Sequence, residues 1–169
     1  MTDLWFLGPA ATVLTGATAV GAAAVGGVFL AFSGIVMPAL GTLPAAHGLL
    51  AMQAVNRSAV RAPLLTALLG TAAGAVVLTV HAAVRWQEPS SPLVVIGGTT
   101  YLFGVLGVTV VRHVPMNDAL ARLGAEATSP ISTTGAEVWH RYRRRWTTWN
   151  HVRAVAGAIA AAVLLAARG

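Results

Sequence analysis

The start of the last apolar segment carries the side chains in this sequence that are best suited to chemistry. The segment TTWNHVRAVAGAIAAAVLLAARG (147–169) is apolar in its second half, yet Asn150, His151 and Arg153 lie near its beginning. A neutral imidazole accepts a proton near neutral pH, and an amide and a guanidinium donate hydrogen bonds to the oxyanion that forms when a proton leaves. These residue types therefore fit proton abstraction from a weakly acidic compound.

Other polar side chains are predicted to lie at the same depth as this group. The third apolar segment ends near His113 and Asn117, and Gln53 and Asn56 follow the first at i,i+3 spacing, on one helical face. Because an amide or guanidinium in apolar surroundings needs partners, we expect one shared pocket. The alternative is a set of scattered, solvated side chains, with Arg153 reaching to lipid phosphates. The predicted catalytic residues are His151, His113, Arg153, Asn150, Asn56 and Asn117, and either His151 or His113 could be the base.

An aromatic stripe precedes the last span and continues into it. Trp139, Tyr142, Trp146, Trp149 and Arg153 occur at i, i+3, i+7, i+10 and i+14, which places them along one side of a helix. An interface anchor needs rings at a single depth, whereas this stripe extends about 15 Å before the span begins. We therefore predict that these rings form a pocket wall. The predicted substrate-binding residues are Gln53, Trp146, Trp149, Tyr142, Met37 and Met52.

The histidine spacing does not predict a simple metal site. The five His residues are His47, His81, His113, His140 and His151, and no two of them are spaced i,i+4 as in helical metal sites. Cys is absent, which excludes thiolate ligands and Cys nucleophiles. We assign no metal ligand, although a site formed by His113, His151 and Asp118 stays open as an alternative.

The helices that must position these residues are predicted from hydropathy. The 169-residue chain is 56% hydrophobic and 9% charged, with a mean hydropathy of +0.73, whereas soluble domains are about one-quarter charged. A span needs about 20 apolar residues. We predict an all-α integral membrane four-helix bundle that forms a single domain over residues 1–169, with spans at 4–37, 63–84, 92–111 and 149–168. The first span is expected to end at Pro38.

Short interfacial helices are predicted in both long connections. Residues 45–61 place Leu49, Met52, Val55 and Ala59 on one side. Residues 117–124 begin with an Asn that can cap a helix and end in Gly. A polar, turn-rich linker (126–135) follows, and helix is expected to resume at Ala136.

The length of the last span explains its polar start. Counting back from Arg168, the helix reaches Asn150 after roughly 28 Å, close to the hydrocarbon thickness of about 30 Å. A span that began at Ala154 would be several ångströms too short. Asn150, His151 and Arg153 are therefore expected at the membrane boundary.

The charge distribution predicts the orientation of the chain. All eleven basic residues are Arg, and the net charge is +6. In membrane proteins such an excess marks cytoplasmic loops, so we do not predict nucleic acid as a partner. The two long connections contain Arg57, Arg61, Arg112, Arg122, Arg141, Arg143, Arg144 and Arg145, whereas the other side has Arg85 and Arg168, offset by Asp3 and Glu88. We predict a multi-pass protein of the inner (plasma) membrane, with both termini outside and the long connections in the cytoplasm.

Two further features of the sequence bear on source and processing. The Arg-for-Lys bias and the abundance of Ala and Gly indicate a bacterial source. The N-terminus lacks a basic region, so the first apolar segment is expected to stay in the mature protein.

Four motifs together resemble one known family. FLAFSGIVMPAL (29–40), AMQAVNR (51–57), HVPMNDALA (113–121) and YRRRWTTWNHVR (142–153) are similar, in this order, to the anthrone-oxygenase-like family of small four-helix membrane proteins. The resemblance implies oxidation of an anthrone to an anthraquinone with O₂ as co-substrate and no added cofactor. The recurring polar positions of the family correspond here to Gln53, Asn56, Asn117, Asn150 and Arg153.

The functional hypothesis is accordingly a membrane-bound oxygenase for an anthrone-like or other small lipophilic aromatic compound, which reaches the pocket from the lipid bilayer. A non-enzymatic membrane protein that binds a lipid or small molecule is one alternative. A His-ligated, metal-dependent oxidoreductase is another, and a homo-oligomer is left open.

Overall fold

The computed structural model describes residues 7–59, 63–123 and 133–168, without the side chains of Leu7, Thr133 and Thr134, and these residues are helical except for short turns. No strand occurs in these ranges, which confirms the all-α prediction. In chain order the elements are α1 (Leu7–Ala31), the π-helical segment π1 (Phe32–Val36), α2 (Met37–Gly41), α3 (Ala45–Ala59), α4 (Pro63–Val84), α5 (Ser91–Thr100), π2 (Tyr101–Gly107), π3 (Thr109–His113), α6 (Val114–Ala121) and α7 (Thr133–Ala166).

Four continuous helical stretches are long and apolar enough to cross a membrane, as predicted. They are span 1 (Gly8–Gly41), span 2 (Pro63–Val84), span 3 (Ser91–Ala121) and span 4 (Gly135–Ala166). The chain is a multi-pass membrane protein.

The spans form a closed ring, with span 1 against spans 2 and 4, and span 3 against the same two. The most extensive contact joins α1 to α7. At this crossing a Cβ atom on Gly157 would come within 2.9 Å of the Gly26 Cα atom and 3.1 Å of the Ala22 carbonyl oxygen. Small residues thus allow the two backbones to touch, which is how helices associate closely in lipid.

Spans 1 and 3 each continue through a proline. Span 1 was expected to end at Pro38, and a separate helix was expected to begin after Pro115. Proline lacks an N–H group, and its ring clashes with the carbonyl four residues earlier. Here the helix widens just before the proline: π1 precedes Pro38, and π3 precedes Pro115. Widened turns of this kind re-route the backbone hydrogen bonds. The prediction that span 1 ends at Pro38 is therefore wrong, because the helix runs on to Gly41.

The two predicted connection helices have different outcomes. The first is confirmed as α3, which packs Leu49, Met52 and Gln53 into the protein and contacts α6 and α7. The second is not a separate helix, because residues up to Ala121 continue span 3 through Pro115, and Asn117 therefore does not begin a helix. Arg61 and most of the predicted linker lie outside the described residues, and helix resumes at Thr133, three residues earlier than expected.

Candidate functional site

The two proline-associated π segments carry side chains into the interior at the end of the bundle where α3 and α6 pack. Ser33 lies in π1, and Thr109 and His113 lie in π3. Ser33 and His113 are buried, at 5% and 1% exposure. Because π-helical turns leave backbone groups and side chains in altered positions, they frequently occur at functional sites. Both segments face α7, which supplies the remaining polar groups.

Asn150 joins α7 to π1. Its side chain is fully buried, and its Nδ2 donates to the Phe29 carbonyl oxygen at 2.5 Å and to the Ser33 Oγ at 2.7 Å. Its Oδ1 accepts a hydrogen bond from Arg153 Nη2 at 2.5 Å. Both N–H groups and the oxygen of this amide therefore help to hold the Arg153 guanidinium and the widened turn together.

Arg153 is a buried cation, with 5% of its surface exposed. Besides Asn150, its Nη1 donates to Thr109 Oγ1 at 3.2 Å, and its Cζ lies 3.9 Å from the Phe29 ring centroid. No carboxylate pairs with it: within the described ranges the one ion pair joins Arg85 and Glu88. Buried charges are ordinarily paired, so this guanidinium is suited to an anion supplied by a ligand.

Three aromatic or cationic side chains in mutual contact contain buried polar atoms without partners. His113 lies edge-on to Trp146, with ring centroids 5.2 Å apart, and the Arg153 Cζ lies 5.6 Å from the Trp146 centroid. Both His113 ring nitrogens, Trp146 Nε1 and Arg153 Nε make no hydrogen bond in the described part of the chain, although backbone groups of Val108 and Trp146 lie near the imidazole. Such orphaned atoms are rare in folded proteins, and their clustering marks this position.

A small cavity of about 70 Å³ adjoins these groups. Its walls are Phe29, Phe32, Met52, Val55, Asn56, Ala59, Leu64, Asn117, Trp146 and Arg153. The walls are thus largely apolar, with a guanidinium and two amides as the polar groups. This composition is typical of sites that bind a mainly apolar ligand and orient it with a few polar contacts.

Tyr142 ties the two cavity amides together. Its hydroxyl donates to Asn117 Oδ1 at 2.9 Å and accepts from Asn56 Nδ2 at 3.4 Å. Tyr142 is buried but does not line the cavity. It therefore orients Asn56 and Asn117 from behind, which differs from the predicted substrate contact.

Several predicted site residues lie elsewhere. His151 is exposed and lines a separate groove with Met37, on a different side of α7, so the expectation that it shares a pocket with Asn150 and Arg153 is wrong. Its position one residue after Asn150 turns it by about 100° around the helix. Trp149 is half-buried and packs under Arg112, whose Cζ lies 4.6 Å from its ring.

Gln53 has a structural role in place of the predicted substrate contact. Its Nε2 donates to the carbonyl oxygens of Leu120 and Leu123 at 2.8 and 3.1 Å. Leu120 lies in the last turn of α6 and Leu123 lies two residues beyond it, where intrahelical donors run out. The Leu120 carbonyl oxygen also accepts from the Leu123 N–H at 3.2 Å. Gln53 thus fastens α3 to the C-terminus of α6.

The proposed set of metal ligands does not assemble. No group of three or more His, Asp or Glu side chains comes together in the described ranges. His113 is buried against Trp146, whereas His151 and Asp118 are exposed. The alternative of a site built from these three residues is therefore wrong.

Sequence reasoning missed the contributions of Phe29, Ser33 and Thr109. All three are apolar or weakly polar residues inside predicted spans, where such side chains are common. A signal was nevertheless present, because Pro38 and Pro115 each lie within a long apolar helix and each disturbs the backbone before it.

The sequence matches the anthrone oxygenase family over residues 4–163. No curated protein and no solved structure matches it. The match covers nearly the whole chain, including π1, π3, α3 and the polar part of α7. The chain belongs to the anthrone oxygenase family.

Proposed function

We propose that the protein is an oxygenase that removes a proton from a weakly acidic CH₂ group of a lipophilic aromatic ketone and lets the resulting anion react with O₂. Family membership supports an oxygenase-type role. The substrate class and the roles of the residues are our inference from the cavity.

The observation that carries the proposal is the buried, unpaired Arg153 guanidinium on the wall of an otherwise apolar cavity. A fixed cation in a site without bulk water stabilises negative charge far more strongly than it does in water. An aromatic ketone gains that charge on its carbonyl oxygen only after deprotonation. Arg153 therefore favours the deprotonated state over the neutral substrate, which is the condition for catalysis.

The reaction balances without an added oxidant other than O₂. A base takes one proton from the CH₂ carbon, and the charge spreads to the ketone oxygen beside Arg153. The anion transfers one electron to O₂, and the radical and superoxide combine to a C–O bond. The peroxide takes back the proton from the base and then loses water, which leaves a new C=O group. One O₂ thus yields one ketone oxygen and one water.

His113 is the base in this proposal, because His151 is exposed on another side of α7. The His113 imidazole lies behind the Trp146 ring and not on the cavity wall. The proposal therefore requires the Trp146 indole to turn, so that a path opens between the imidazole and the substrate carbon. Neither His113 nitrogen has a side-chain partner in the described ranges. A nearby backbone group of Val108 or Trp146 can hold the N–H of one nitrogen, and the other nitrogen then takes the proton.

The cavity volume of about 70 Å³ is enough for O₂ or about two water molecules. Ligand pockets usually have volumes of about 300 Å³ or more. A fused-ring substrate therefore requires cavity side chains to move apart, and the Trp146 rotation that exposes His113 also enlarges the cavity.

The Arg-rich end of the bundle, where the site lies, is assigned to the cytoplasm in our proposal. Arg57, Arg112, Arg122 and the Arg residues of α7 lie at this end. Positive residues in short connections favour the cytoplasmic side. We therefore place the protein in the plasma membrane with both termini outside, and a lipophilic substrate reaches the site from the bilayer.

The test is oxygen uptake by the purified protein in lipid nanodiscs, with a series of anthrones. We expect saturable uptake above autoxidation in empty nanodiscs, with one quinone formed per O₂ consumed. Arg153→Met should abolish the enzymatic part, whereas Arg112→Met, an exposed control at the same end, should retain it. Uptake that is unchanged by Arg153→Met would refute the proposal.

Tight, saturable binding of an anthrone without any uptake would instead support the non-enzymatic binder. Activity after exhaustive chelation separates reaction with O₂ alone from a metal-assisted reaction.

A further inference from the structure

A second and larger opening lies on another side of α7, between the end of span 1 and the beginning of the apolar part of span 4. Its volume is about 490 Å³. The polar side chains that line it are Ser33, Arg143, Arg144, Thr147, Thr148 and His151. Five of these six follow one another along α7 at positions that share one side of the helix. The proposed oxygenase chemistry uses none of these five.

The cations in this groove have no counter-charge among the residues that the structure describes. Within the described ranges Arg143 and Arg144 make no ion pair. The acidic side chain that does form an ion pair there is Glu88, at the opposite end of the bundle. Two guanidiniums from consecutive residues, with the Thr147 hydroxyl beside them, favour an anion with several acceptor oxygens. A phosphate group has this chemistry, and the guanidinium fork matches its oxygens.

The position of Arg143 is set by the end of span 1. Its guanidinium lies against Gly41, so closely that a Cβ atom at that residue would overlap Nη1. Glycine at this position therefore leaves the space in which the charged group rests. Thr148 is also oriented, because its Oγ1 donates to the Arg144 carbonyl oxygen at 3.0 Å.

The groove overlaps the headgroup layer of a membrane and extends a few ångströms past it, because Arg143 lies about 10 Å from Asn150 along the helix axis. The groove residues run from Arg143 to His151, about 12 Å along the axis, and Asn150 marks the expected hydrocarbon boundary. Headgroup layers extend about 5–8 Å beyond that boundary.

We propose that this groove binds a phosphate group, held by Arg143 and Arg144 with the Thr147 hydroxyl. The same chemistry is present in a phospholipid headgroup and in free phosphate, and the experiment separates these two sources. The proposal does not depend on the oxygenase reaction.

The experiment is native mass spectrometry of the full chain, released from detergent, with dioleoyl-phosphatidylglycerol in one series and inorganic phosphate in the other. The test variant is Arg143→Gln/Arg144→Gln. Arg141→Gln/Arg145→Gln is the matched control, because it removes the same charge from the same helix but from side chains that line a different groove.

A guanidinium that contacts the lipid phosphate directly strengthens binding roughly fivefold or more, whereas a charge elsewhere on the helix acts only through a field that salt screens. We therefore expect the test variant to bind the lipid about 25-fold more weakly and the control to change by less than about threefold. Saturation by inorganic phosphate with the same dependence on Arg143 and Arg144 would identify a soluble anion as the source. Equal weakening in both double variants, or no saturable binding of either probe, would overturn the proposal.

Gly41→Ala provides a second test that keeps every charge, and it decides the matter if the double variant does not fold. The added methyl group displaces the Arg143 guanidinium, so we expect binding to weaken roughly fivefold. Unchanged binding in Gly41→Ala would show that the location of Arg143 does not matter and would contradict the proposed site.

Discussion

Replacing Arg153 with Met tests whether the buried guanidinium serves the reaction or stabilises the fold. Met fills a similar space with a flexible apolar chain. The exchange removes the desolvation cost of a 5% exposed cation, which amounts to several kcal/mol. It also removes the hydrogen bonds to Asn150 Oδ1 and Thr109 Oγ1 and the contact with the Phe29 ring.

The losses can be estimated from these contacts. An unsatisfied Asn150 Oδ1 costs about 1–3 kcal/mol, and the cation–π contact contributes about 1–2 kcal/mol. Thr109 keeps its bond to the Val105 carbonyl oxygen at 2.7 Å, so its contribution is small. Gains and losses nearly cancel, and we expect the free energy of unfolding to change by no more than about 1 kcal/mol. Loss of a buried donor to the reacting oxygen instead costs about 10²–10³-fold in rate.

The assay pairs SDS-induced unfolding in detergent with oxygen uptake in nanodiscs. Arg112→Met is the control, since its exposed guanidinium packs over Trp149 at the same end of the protein. A fall of more than about 3 kcal/mol in the unfolding free energy of Arg153→Met would refute this reasoning, because it would mean that the cation mainly stabilises the fold. Retained turnover would refute it equally.

Three further substitutions test the remaining assignments. His113→Phe should lower oxygen uptake by about 10²–10⁴-fold. The fold should be retained, since the His113 ring nitrogens make no side-chain hydrogen bond in the described ranges. Unchanged uptake would exclude His113 as the base. His151→Ala, at an exposed position, should change the unfolding free energy by less than about 0.5 kcal/mol and leave uptake within twofold, and a large loss of uptake would contradict its exclusion from the site. Gln53→Leu should lower the unfolding free energy by about 2 kcal/mol, because the Leu123 carbonyl oxygen loses its donor and the Leu120 carbonyl oxygen keeps only the Leu123 N–H. Gln53→Glu, which keeps the shape but turns a carboxylate toward two carbonyl oxygens, should lower it by at least as much. An unchanged midpoint in SDS titration would contradict the structural role.

Much of the site could be predicted because helical periodicity dictates which residues share a side of α7. Asn150, Arg153 and Trp146 recur at intervals of three and four, and the structure places all three in the interior. The same periodicity separates His151 from them, and its predicted place in the same pocket rested on depth alone. Depth in the membrane depends only on position along the helix axis. A residue lines a given pocket only if its side chain also lies on the side of the helix that faces that pocket.

The number of spans and the level of the polar groups followed from the sequence by itself, because hydropathy and helical rise depend on single segments and on nothing they touch. The roles of individual side chains were decided only by the tertiary structure. Gln53 became a helix cap because the end of α6 lies against it, and Ser33 became a partner of Asn150 because π1 widens before Pro38. A side chain's partners come from segments far away in the chain, and no local pattern encodes which of them will meet.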